Sequence, residues 1–194
     1  MSSPVDMKSN NPLPKISRLI TAHDTSSGKA IFSTELPEEA NFFTPKHEPP
    51  LPVGFYLAYA TSSFPARLTD SRDLADYKAI FEKSDSSGLV KHGGILMRYV
   101  DYPPNCITPM HRTVSLDFGI VIEGELECVL DSGERRTMKR GDVAVQRGSM
   151  HQWVNNRDDW ARMVYVLIDA TPVLAMGKLL GEDLTDLSGI PSSH

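Results

Sequence analysis

The sequence predicts an all-β protein: a closed antiparallel barrel with an N-terminal β-hairpin arm and short helices. Three observations predict it. The runs FGIVIEGEL, ECVLD, VAVQ and ARMVYVLI are short, apolar and rich in β-branched residues, as the strands of a closed sheet are. Turn signals at Glu123-Gly124 and Ser132-Gly133 separate strand pairs. Two polar clusters punctuate these strands, one around His111 and Asp117, the other around Gly148, His151 and Asn155. Side chains two apart share a strand face. His111, Thr113, Ser115 and Asp117 therefore point one way if the run is extended, toward solvent or toward a barrel interior.

In chain order, residues 1–14 are polar and proline-broken, too poor in large apolar groups to fold alone, and read as a flexible N-terminus. Residues 15–92 form an arm and flanking segment. ISRLITAHD and KAIFST make a hairpin around Ser26-Ser27-Gly28, with His23 a structural residue beside Asp24. A proline-rich acidic loop follows, anchored by Phe42 and Phe43, with His47 exposed. Gly54 to Ser62 is a strand that extends the barrel's sheet or pairs with a second subunit. Leu74, Tyr77, Ile80 and Phe81 recur at helical spacing over 73–83, with Ser71 or Asp73 as cap. A mobile Ser-Ser-Gly stretch ends that helix. Residues 93–170 form the barrel core, and 171–194 a C-terminal helix and tail opened by Pro172.

Composition bounds the partners. At 194 residues the chain supports one buried core, and without an internal repeat it holds a single barrel unit. A net charge of −5 and the absence of a basic stretch argue against nucleic acid or anionic lipid. Cys106 and Cys128 do not make a secretory disulfide framework and read as packed thiols. No apolar run reaches the length of a membrane span and no leader pattern is present, so a cytoplasmic protein is expected.

The run from Pro109 to Asn155 resembles the two signature motifs of the cupin superfamily, small jelly-roll barrels. Where the first motif has two His, a Glu and a Gly, this chain has His111, Thr113, Asp117 and Gly124. For the second motif it offers Gly141, Gly148, His151 and Asn155, with one residue fewer between the glycines and Gln146-Arg147 in place of the usual proline. The phrases around MHR, GDVAVQRG and VLIDA are similar to those of small single-domain cupins of fungi and bacteria, which in fungi often sit among polyketide tailoring enzymes.

The resemblance implies that His111, Asp117 and His151 converge inside the barrel, where three readings are open. Two imidazoles and a carboxylate form a facial triad for one divalent metal, Fe, Mn or Zn, as in a metal-dependent dioxygenase. Thr113 in place of an imidazole weakens such a site. Without metal, His111 or His151 is a base oriented by Asp117, and the reaction is a lyase-type dehydration or aldol-type cyclisation of a polyketide-like substrate. Thr113, Ser115 or Arg147 then binds a substrate oxygen, and Trp153 walls the cavity or the core. Arg147 has a structural alternative, bonding to carbonyls or to Asp142, and Asn155 reads as a strand-end cap. The third reading is a non-catalytic small-molecule-binding barrel. A homodimer through exposed strand edges is expected. The lyase is the leading expectation.

Overall fold

A computed structural model describes residues 11–45, 51–83, 88–187 and 190–193. The expectations for His47 and for the mobile serines before Gly88 fall outside the described residues, as do residues 1–10.

Two antiparallel sheets carry the fold. One orders β3 (Gly54–Thr61), β4 (Ile95–Tyr102), β11 (Ala161–Asp169), β6 (Ser115–Glu123) and β9 (Val143–Arg147). The other orders β5 (Cys106–Ile107), β10 (His151–Asn155), β7 (Glu125–Leu130) and β8 (Arg135–Lys139). This is the jelly-roll expected from the sequence. Alternation decides what faces inward: on β4, Leu96, Arg98, Val100 and Tyr102 are buried while Met97 and Tyr99 are partly exposed. Residues of both sheets, among them Leu96, Val121, Leu126, Met163 and Trp153, meet in one apolar core. Leu126 is fully buried, so its truncation to alanine would cost about 2–5 kcal/mol.

β3 extends the barrel's sheet at its edge. The arm hairpin forms as β1 (Thr21–His23) and β2 (Ala30–Phe32), its turn held by Asp24, whose carboxylate accepts from the Ser26 and Ser27 hydroxyls. Phe42 and Phe43 anchor the following loop on Tyr56 and Phe55. Helix α1 (Arg72–Phe81) buries Leu74 and Tyr77 as its periodicity predicts. The expected cap is not made: Ser71 sits in a left-handed conformation without a capping bond, and Asp73 accepts from the Tyr59 hydroxyl instead.

The described part of the N-terminal segment lies against the barrel. Arg162 and Asp101 form a bidentate ion pair at 2.6 and 2.7 Å, both almost fully buried. Onto this pair Asn11 donates to Asp101 and Pro14 offers its carbonyl to Arg162. Chain ends that satisfy buried charges are held by them.

The C-terminal helix is corrected. Val173–Ala175 and Lys178–Leu180 form an antiparallel hairpin, β12 and β13. Its turn is Met176-Gly177, with φ of 49° and 73°, a geometry that suits a two-residue hairpin and that glycine adopts without strain. Among the described residues no helix is long and apolar enough to cross a membrane.

Candidate active site

The two sheets enclose a cavity of about 70 Å³ whose walls include Leu51, Val53, Val100, Trp153, Leu167 and Leu187. Its polar lining is short: Arg98, Thr108, His111, Thr113, Asp117, Gln146 and His151, with the Tyr102 and Tyr165 rings. Five of the sequence-predicted residues, His111, Thr113, Asp117, His151 and Trp153, thus line one cavity.

His111 and His151 are partners in an isolated antiparallel bridge, each donating its backbone N–H to the other's carbonyl at 2.9 Å. Their rings lie 4.4 Å apart between centroids. The His111 Nδ1 is 3.0 Å from the Pro109 carbonyl, and the His151 Nδ1 is 2.9 Å from the Ser149 carbonyl. A carbonyl only accepts, so each Nδ1 carries the proton and each Nε2 is left as the basic nitrogen. Burial lowers the His111 pKa, opposed by the Pro109 carbonyl. Burial and the facing His111 ring hold His151 at about 3. Both rings are neutral at neutral pH.

Asp117 behaves oppositely. Burial pushes its carboxyl up to about 6, although the Ser115 and Thr113 hydroxyls pull it back. Thr113 Oγ1 donates to its Oδ2 at 3.3 Å, and Ser115 Oγ donates to Thr113 Oγ1 at 2.8 Å. Its Oδ1 is buried without a partner, as is Nε2 of Gln146, the residue opposite it in the β6/β9 register. Two orphan polar atoms on facing residues of one chamber are suited to a polar group of a bound molecule.

Four expectations change. Asp117 makes no hydrogen bond to either imidazole; backbone carbonyls orient the rings. Among the described residues no three His, Cys, Asp or Glu side chains come together as ligands of one ion. The set His111, Asp117 and His151 therefore does not fit the expected triad. Arg147 is exposed and does not line the cavity: alternation along β9 turns Gln146 inward and Arg147 outward, beside the C-terminal hairpin. Ser115 stands behind Thr113, off the cavity wall.

The family follows from comparison. A cupin domain model matches residues 98–167, and oryzines biosynthesis cluster protein J of Aspergillus oryzae is 44% identical over 90% of this chain and 94% of its own length. The chain belongs to the cupin family. A second relative of this cupin is the cupin-domain-containing oxidoreductase fogC of Aspergillus ruber, 34% identical over 86% of this chain and 78% of its own. A solved cupin barrel from Salinispora arenicola shares 31% identity over 39% of this chain and 64% of that one, with a TM-score of 0.37.

Other parts of this cupin's site were not read from the sequence. Gln146 is legible only once the parity of β9 is known, and Arg98 only once β4 is seen to face the cavity. Tyr165 stacks edge-on against Trp153 at 5.5 Å and donates its hydroxyl to Met163 Sδ, leaving its oxygen to accept from Tyr102 at 2.8 Å. Gly119 makes room for it, since a Cβ there would stand 3.0 Å from the Tyr165 ring. Asn155 caps its strand end as expected, donating to the Tyr102, Pro103 and Asp159 carbonyls.

Proposed function

We propose that this cupin is a small-molecule tailoring enzyme, a lyase that removes water from, or closes by aldol-type chemistry, an oxygenated polyketide-like substrate. The observation that carries this reading is the pairing of opposite protonation tendencies in one apolar chamber. Asp117 is a carboxyl raised to about 6, so it still holds a proton at mildly acidic pH where an ordinary aspartate is ionised, with Oδ1 without a partner. Beside it stand two neutral imidazoles with Nε2 free. Groups whose environments push their pKa values apart divide into an acid and a base.

In a dehydration, the Nε2 of His111 takes the proton from the carbon next to a carbonyl, Asp117 gives its proton to the departing hydroxyl, and water leaves as the C=C bond forms. The imidazolium then returns its proton to the carboxylate, directly or through the released water. His151 faces His111 across the same backbone bridge, its own ring held by the Ser149 carbonyl. Similarity to a protein of a fungal biosynthesis cluster supports a role in small-molecule tailoring.

The test is a β-hydroxy aryl ketone, followed by the ultraviolet absorbance of its conjugated enone. Wild-type turnover lost in both His111→Ala and Asp117→Asn supports the reading; equal rates in all three proteins end it. A second reading, a metal-dependent oxidoreductase, draws on the name of the Aspergillus ruber relative and on the two adjacent Nε2 atoms. It lacks the third ligand expected of Asp117.

A further inference from the structure

Arg98 lies 5% exposed on the cavity-facing side of β4, opposite Leu57 on β3 and Tyr165 on β11. One of its amino groups donates to the Gly88 carbonyl at 3.1 Å. Its Nε is buried without a partner. Its guanidinium carbon stands 4.7 Å from the centroid of the Phe55 ring. Burial pushes its pKa down to about 10, so it stays charged at neutral pH. No Asp or Glu among the described residues pairs with it.

The contrast with Arg162 is direct. Arg162, equally buried, has Asp101 at hydrogen-bond distance on two oxygens. A buried guanidinium without a counter-charge is costly, and replacing it by an apolar side chain of similar length relieves that cost. The residue is in the wall of the same chamber as Asp117 and the two imidazoles, and its remaining N–H groups are a planar fork that matches a carboxylate.

We propose that Arg98 is the subsite for a carboxylate of the substrate. The ligand is an organic acid: its apolar body lies among Val53, Phe55, Leu89 and Trp153, its carboxylate is held by Arg98, and its hydroxyl or carbonyl oxygen is at Asp117 and Gln146. This names the substrate class for the chamber read above as catalytic, and so rests on that chamber being the substrate site.

The test is binding, not turnover, and so fails separately from the lyase assay. Benzoate and its neutral counterpart benzamide are titrated calorimetrically into the full-length protein, into Arg98→Met and into Arg98→Gln. The expected result is that wild type binds benzoate at least tenfold more tightly than benzamide, and that both variants lose the difference. Arg98→Met is also expected to melt no lower than wild type, because it removes a buried charge that no carboxylate among the described residues pairs; a melting temperature well below wild type would mark a structural cation. Equal affinity of the wild type for both probes, no binding of benzoate, or an unchanged preference in either folded variant overturns the proposal.

Discussion

His111 and His151 face each other across one antiparallel bridge, and each gives its Nδ1 proton to the carbonyl two residues before it. Two imidazoles set by the same local device present two basic nitrogens to one chamber, with no side chain needed to orient them.

Replacing His111 by alanine removes the base and leaves both bridge hydrogen bonds, which are backbone bonds, in place. The expected outcome is a loss of 10²- to 10⁴-fold in the elimination rate with an unchanged far-ultraviolet circular dichroism spectrum. A rate within threefold of wild type would remove His111 from the mechanism.

Asp117 acts as an acid only while protonated, and its carboxyl is raised to about 6. The rate constant kcat/KM is therefore expected to fall about tenfold per pH unit above that value. Asp117→Asn should lose this limb together with at least about 10²-fold in rate. A profile that instead rises through pH 6 would assign Asp117 as a base.

Stability against acid follows from His151 and Asp117 with opposite signs. The native His151 pKa, about 3, lies below its ordinary 6.5. The unfolded chain takes up a proton there that the native ring refuses, so stability falls as pH drops from 6.5 toward 3, by at most about 1.4 kcal/mol per pH unit. The native Asp117 pKa lies above its ordinary 3.8, so its contribution rises as pH falls from about 6 to 3.8. Urea midpoints between about pH 6 and pH 4 should fall more steeply in Asp117→Asn than in wild type; parallel curves would contradict the raised carboxyl.

Arg162→Met leaves Asp101 buried without its partner and also frees the Pro14 carbonyl. A loss of about 3–5 kcal/mol is expected by urea denaturation. Set beside Arg98→Met, this variant separates a cation held for structure from one held for binding.

Asn155→Ala removes the amide that donates to the Tyr102 and Pro103 carbonyls at the end of β4 and to the Asp159 carbonyl before β11. A loss of about 2–3 kcal/mol in unfolding free energy is expected, and a change below about 0.5 kcal/mol would show those carbonyls satisfied otherwise.

The strands from β6 to β11 were legible because their apolar residues alternate or run together between glycine turns, and the histidines because their spacing matches a motif. The C-terminal hairpin was not. Leu174, Leu179 and Leu180 imitate a helical stripe, and the Met176-Gly177 turn that folds them back is decided by two left-handed residues. Arg98 was hidden inside an apolar run, where only the side of the strand that meets the cavity distinguishes a solvated cation from a buried one. Asp117 is legible in the motif but its partner is not: Thr113 donates to it and Ser115 donates to Thr113, a chain of hydroxyls that motif spacing does not report.

Gln146 stands opposite Asp117 because β9 pairs with β6 in one register and in no other. Sliding β9 by one residue would bring the guanidinium of Arg147 to that place. The carboxyl would then surrender its proton to a salt bridge, and the chamber would lose its acid without any residue in its wall being mutated. The number of residues spanning the two glycine turns, Gly141 and Gly148, is in this sense a setting for protonation state. Changing the register of β9 by one residue is a way to silence the chemistry while leaving every side chain of the motif intact.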